Sequence, residues 1–322
     1  MRSIYSIGFA AVLAGLVPSA PVLADISNQA PLGETYATFL EVAQGARGVG
    51  MGDAYVGVVD DIGAVFWNVA GMTDIPKNRF QFTFTNTQWL VNSQFNSAAV
   101  GVNTDYGAFA LSIVTFSPPE MLETTIRQPQ GTGRNLDTGS WAFGGAYAKK
   151  LTDRFSVGAQ VRVVDETLFG EWGFRTFDLA LGTKYYTGFR NLRIAMALRN
   201  FGKDKILIDN EILNAHMPAL FNIAVAAEVI GEKGDPAYLT GAFESLYAVS
   251  VERRAHFGAE LWLRNMLALR GGYKWNYDNQ NFTAGAGVRL KRGDRFLSAD
   301  VAWATFGDQF DAPLRFSVTG SF

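Results

Sequence analysis

Four glycines, Gly45, Gly48, Gly50 and Gly52, crowd the stretch GARGVGMGDAYVGVV. Such spacing can leave backbone N–H groups free to cradle a phosphate. A dinucleotide fingerprint, however, needs a glycine where Asp53 stands, and an apolar strand directly before the first one. No G-x-x-x-x-G-K-[ST] run occurs either, so phosphate binding is set aside. Nucleophilic and metal chemistry are also poorly provided for: the chain has no cysteine, no G-x-S-x-G and no H-E-x-x-H. Its two histidines are His216 and His256. His256 and Glu260 share one face of a strand, but four residues at ~3.3 Å each separate them by roughly 13 Å, beyond a hydrogen bond. His256 reads as a wall residue and His216, just before Met217 and Pro218, as a solvated loop residue. No catalytic residue, cofactor or metal is expected, and a hydrolase would need a converging nucleophile and base that the sequence does not offer.

The elements around these residues read as strands. From Phe80 onward, apolar and polar residues alternate in segments of about ten, separated by Gly, Asn, Asp and Pro. Phe155, Val157, Ala159, Val161 and Val163 take one face and Ser156, Gly158, Gln160 and Arg162 the other. Soluble sandwich strands average only about 5 or 6 residues, whereas a strand crossing a bilayer needs ~9–11, apolar toward lipid and polar toward a lumen. About fourteen such segments start near Phe80, Phe95, Tyr106, Gly139, Arg154, Phe174, Asn191, Met217, Leu239, Ala255, Met266, Asn281, Arg295 and Pro313. The fold class is therefore all-β: a transmembrane antiparallel barrel over 79–322, with a short helical or irregular plug over 25–78. Connections alternate between short and long, which puts both barrel ends on the short-turn side. The longest, 117–138, is the expected mobile or partner-contacting surface.

Composition agrees with an exported barrel. Only 18% of residues are charged, against roughly 25% in an ordinary soluble domain, and the chain carries 34 glycines. A formal charge of -2 gives nucleic acid nothing to bind. Residues 1–24 read as a signal peptide, with Arg2 opening an apolar run and small residues before a cleavage point at Ala24.

Inside such a barrel, glycine has a structural use, because it allows positive φ and close backbone approach in a narrow space. The charges that alternation turns inward are Arg162, Asp178, Lys184, Arg193, Arg199, Glu244, Glu260, Arg264, Arg270, Lys274, Arg289, Asp300 and Arg315. Away from bulk water they must pair, so a filled lumen is expected ahead of an open pore. Trp262 points inward and is a candidate for plug or ligand packing. Phe39, Val42, Phe66 and Trp67 are the residues expected around a hydrophobic ligand.

The plug segment carries a resemblance. Gly45, Arg47, Gly48, Gly50, Met51, Gly52, Asp60, Asp61, Asn68 and Gly71 are similar to the N-terminal signature of the PorV/PorQ family, a branch of FadL-like outer-membrane barrels. The likeness continues through the strands that hold Glu260 and Arg270 to the end of the chain. Val69 replaces the family's proline, and the loop 307–313 diverges. The final strand, with Phe316, Val318 and terminal Phe322, resembles the signal read by the barrel-assembly machinery. The resemblance implies a non-enzymatic outer-membrane protein that assists protein secretion of the type IX kind, binding a secretion channel or cargo through its outer loops. The alternative is FadL-like passive transport of hydrophobic small molecules, whose mark would be a contiguous apolar cavity beside Phe39, Val42, Phe66 and Trp67 with a lateral opening between strands.

Overall fold

The computed structural model describes residues 35–169, 172–208, 211–249, 251–307 and 310–322. The expected signal peptide, 1–24, and residues 25–34 of the plug segment lie outside them. Sixteen strands are described: β1 Arg79–Gln88, β2 Gln94–Thr104, β3 Gly107–Ser117, β4 Gly139–Thr152, β5 Phe155–Phe169, β6 Trp172–Tyr186, β7 Arg193–Gly202, β8 Lys205–Ile208, β9 Glu211–Asn214, β10 Leu220–Ile230, β11 Ala237–Ala248, β12 Arg254–Leu263, β13 Leu267–Trp275, β14 Phe282–Arg292, β15 Arg295–Ala304 and β16 Leu314–Ser321. All but β8 and β9 belong to one closed antiparallel barrel of fourteen strands, in which β1 meets β16 with Phe84 opposite Val318. The barrel has the strand number read from the sequence.

Alternation builds the wall. On β5, Val161 is 54% exposed while Gln160 and Arg162 on either side are buried, and the same contrast holds for Phe177 and Asp178 on β6. The exterior is thus an apolar belt, and the interior is polar where charges face it and small where alanine and glycine do. The short turns β2–β3, β4–β5, β6–β7, β10–β11, β12–β13 and β14–β15 lie at one end of the barrel, together with the start of β1 and the end of β16. The long loops lie at the other end. There β8 and β9 form a separate hairpin within the 203–219 connection.

Residues 35–78 run the length of the lumen. Thr35 bridges His216 and the Tyr36 N–H donates to the His216 carbonyl (3.1 Å) at the long-loop end. The Asn78 N–H donates to the Asn103 carbonyl (2.6 Å) at the short-turn end. Between them lie only short turns of helix: Thr38–Glu41, Ala46–Gly50, Ala64–Trp67 and Val69–Asp74. None is long enough to hold itself together, so packing must do so. Val49, Met51, Val56, Val59, Ile62 and Met72 are fully buried against inward alanines such as Ala99, Ala195 and Ala224. The hydrophobic core therefore sits inside the barrel, between plug and wall.

Candidate functional site

The glycines dock the plug. A side chain at Gly48 would strike the Trp67 ring (2.6 Å), and Gly52 holds φ at +65° with its backbone on the Tyr273 amide and Gly272. Gly50 faces Gly285 of β14, and the Met51 carbonyl rests on Gly258 of β12. Gly45 turns the chain into the helix Ala46–Gly50 at φ 89°, and Gly71 packs under Val59. The segment thus lies flush on wall glycines, an arrangement that excludes a phosphate role for this loop.

Arg47 is the hub. Its Nε and Nη2 donate to the two carboxylate oxygens of Glu260 (2.8 Å each), while Nη1 reaches Asp60 (2.7 Å) and Asp61 (3.1 Å). Arg270 extends the network, donating to Glu260 (2.7 Å) and Asp300 (2.6 Å). Lys233, in the short turn between β10 and β11, closes on Asp60 (2.6 Å). Plug and wall are thereby joined through one chain of charges. Burial pushes the Asp61 carboxyl up, with Arg47 opposing the rise and Asp60 adding to it. Burial acts on Asp60 in the same sense, yet Arg47 and Lys233 hold it well below the usual carboxylate range.

Four other inward cations pair with carboxylates, as a filled lumen requires. Arg162 grips Asp178, Arg193 grips Glu228 (2.9 Å), Lys184 reaches Asp74 (2.7 Å) and Lys274 reaches Asp53. Arg199 donates to the Phe66 carbonyl (3.1 Å), Arg289 lies over the Trp262 ring (4.3 Å), and Arg315 is buried beside Trp89. Arg264 departs from expectation: it sits exposed in the β12–β13 turn, because the strand ends at Leu263. Asn68 accepts from the Ala70 N–H (3.2 Å) and donates to the Val56 and Thr183 carbonyls (3.1 and 3.0 Å), capping the turn that Val69 begins. That first position accommodates proline or another residue, so Val69 leaves the turn intact.

The sequence reading missed Glu228 and Asn200. Glu228 was within reach, since alternation on β10 from Ala224 and Ala226 turns it inward. Asn200 was not: an extra residue in β7 sets Leu179 opposite Phe201 but Leu181 opposite Leu198, and this bulge swings Asn200 into the lumen beside Arg199. There it donates to the Leu40 carbonyl of the plug (3.3 Å). His256 is a buried wall residue bonded to Tyr277 (2.8 Å), whereas His216 is part-exposed and near Asp204 (3.2 Å).

The expected ligand residues meet only in part. Phe39, Val42 and Phe66 line a crevice between plug and wall, but it holds only about 20 Å³ and shares its lining with Gln44, Gln160, Arg162 and Arg199. It is neither contiguous nor apolar. Trp67 is spent on the plug itself, donating to the Gln44 carbonyl (2.7 Å) and packing edge-on to Tyr55 (5.5 Å). Trp262 is elsewhere, stacked with Tyr238 (6.4 Å). The fourteen strands pair in a closed ring around the described wall, with register shifts in β4–β5, β5–β6, β6–β7 and β10–β11. On the outer face of β2–β5, however, an apolar groove of about 610 Å³ includes Gly101, Ala110, Ala146 and Gln160. Gln160, bonded to Ser112 (2.8 Å), lines both the groove and the crevice.

At the surface, Phe316, Val318 and Phe322 are exposed on the exterior, and Phe322 stacks on Phe82 across the seam (5.9 Å). The 118–138 loop is folded on itself by Glu123 and Arg134 (2.9 Å) and presents a fully exposed Ile126.

No protein-family model matches this sequence, and no curated protein matches it. Solved structures do. The Ralstonia pickettii toluene transporter TbuX aligns over 87% of this chain and 98% of its own, at 12% identity and a TM-score of 0.58. The Pseudomonas putida toluene transporter TodX aligns over 91% and 98%, at 11% identity and a TM-score of 0.57. A Pseudomonas aeruginosa FadL homologue aligns over 87% and 98%, at 12% identity and a TM-score of 0.56. At such identities the likeness is one of fold, the closed fourteen-strand barrel of FadL type.

Proposed function

We propose that this protein is a non-enzymatic outer-membrane barrel, with 25–78 as plug and 79–322 as wall, that passes small hydrophobic molecules across the membrane. The observation carrying this reading is that one residue, Gln160, lines both the crevice beside Phe39 and Phe66 and the apolar groove on the exterior. A solute in the crevice would need both the plug and the wall around Gln160 to yield to reach the outer groove. Whole-chain likeness to two structures named as toluene transporters supports the same reading.

Secretion, the first reading of the sequence, takes second place. It draws on the motif resemblance alone, with the exposed Ile126 of the 118–138 loop as the place where a channel or cargo would bind. The deciding experiment measures the initial rate of labelled toluene uptake by intact cells with a lipopolysaccharide outer leaflet, with and without the protein in that membrane. Several-fold faster uptake is expected, and an unchanged rate would sink the transport reading.

A further inference from the structure

Three inward arginines, Arg199, Arg289 and Arg315 on β16, form no ion pair among the described residues; Arg199 donates to two oxygens and Arg289 is half-buried, whereas Arg315 is buried. Arg47, Arg162, Arg193, Arg270, Lys184 and Lys274 each touch a carboxylate. Arg315 is only 3% exposed, and its Nε and Nη1 have no hydrogen-bond partner among the described residues. Burying a guanidinium without an acceptor is costly, so such a group is informative. Two more unpartnered groups lie on the adjoining strands: the hydroxyl of Thr87, directly opposite Arg315 on β1, and that of Ser97 on β2, both buried. Asp53, the plug's nearby acid, bonds Lys274 through Oδ2 and leaves Oδ1 buried without a hydrogen-bond partner, Arg315 included, among the described residues.

Above this polar floor stands an aromatic rim. The Arg315 guanidinium carbon lies 5.2 Å from the centre of the Trp89 ring. Trp89 meets Phe95 at 5.9 Å and Phe306 at 5.5 Å, both edge-on, and Phe95 packs on Phe116 at 4.6 Å. Phe95 is buried, while Trp89, Phe116 and Phe306 are half-buried at the long-loop mouth.

We infer that this is an entry subsite for an aromatic carboxylate, its ring against the rim and its carboxylate on Arg315. The inference rests on the transport reading and narrows its solute. A neutral hydrocarbon would leave Arg315 as it is, whereas a carboxylate offers two acceptors that match the guanidinium fork. A flat ring suits the rim because aromatic faces and edges attract one another in offset and edge-on contacts.

Calorimetric titration of the purified full-length protein in detergent, with benzoate, benzyl alcohol, acetate and toluene at fixed ionic strength, tests this. Benzoate should bind about tenfold or more tightly than benzyl alcohol, the order expected of one charge-assisted fork. Arg315→Gln should abolish that preference. The comparison within the natural protein needs no variant, so misfolding of Arg315→Gln would not obscure it. Equal affinity for benzoate and benzyl alcohol, or for benzoate and acetate, overturns the subsite while cellular toluene uptake still stands. Absence of any binding together with absent toluene uptake overturns the transport reading as well.

Discussion

Asp60 and Asp61 share Arg47, but their stability contributions have opposite signs. Asp60 titrates below its unfolded value near ~3.9, so its ionised form stabilises the folded state above that pH and the contribution is lost as pH falls through the folded value. Asp61 titrates above it, so its ionisation costs stability at neutral pH and the cost disappears as pH drops toward ~3.9. Asp60→Asn should therefore lower the unfolding temperature in detergent at pH 7, and Asp61→Asn should leave it unchanged or raise it. In melts followed by circular dichroism from pH 7 to pH 4, the benefit of Asp61→Asn should fade while the loss at Asp60→Asn persists. The reverse ordering would mean that the two acids have been assigned the wrong roles. Alternation made Glu260, Arg270 and Asp300 legible as inward residues. It could not show that Arg47 would meet them, because the plug has no period and its path is set by packing.

Among the elements, the strands were the most legible part. Their expected starts fall within three residues of the observed ones, since a wall between lipid and a polar lumen enforces a period of two. A bulge suspends that period, so Asn200 was hidden, and the β8–β9 hairpin, outside the barrel, escaped the same test. Inward glycines were a signal left unread, for Gly158, Gly182, Gly258, Gly272 and Gly285 each mark a place where the plug backbone touches the wall. Neighbouring glycines on β13 separate these cases. A methyl group at Gly271 would meet nothing within 4 Å, whereas one at Gly272 would collide with the backbone of Met51 and Gly52. Gly271→Ala should be neutral or slightly stabilising. Gly272→Ala should cost about 1–3 kcal/mol by overpacking, visible as a lower unfolding temperature and faster amide exchange across 46–56. Equal effects at the two positions would refute the flush contact.

For the whole molecule, the transport reading requires the plug to yield, and the absence of natural cysteines makes that testable. A Cβ at Gly57 would lie 3.5 Å from the Cβ of Ala224 on β10, within the range a disulfide spans. The double variant Gly57→Cys, Ala224→Cys should, once oxidised, slow toluene uptake to the level of cells lacking the protein, and a reductant should restore it. Unimpaired uptake through the oxidised form would place the route elsewhere. The seam has a further consequence. β1 and β16 join residues as distant as Thr83 and Thr319, 236 positions apart, and they close around a segment that precedes both. The plug is seated on glycines of β5, β6, β12, β13 and β14, on opposite sides of that seam. The expected order of assembly follows: the plug acts as a mandrel on which the growing sheet curls before the first and last strands meet, so that shortening it should lower the yield of folded barrel before it opens a pore.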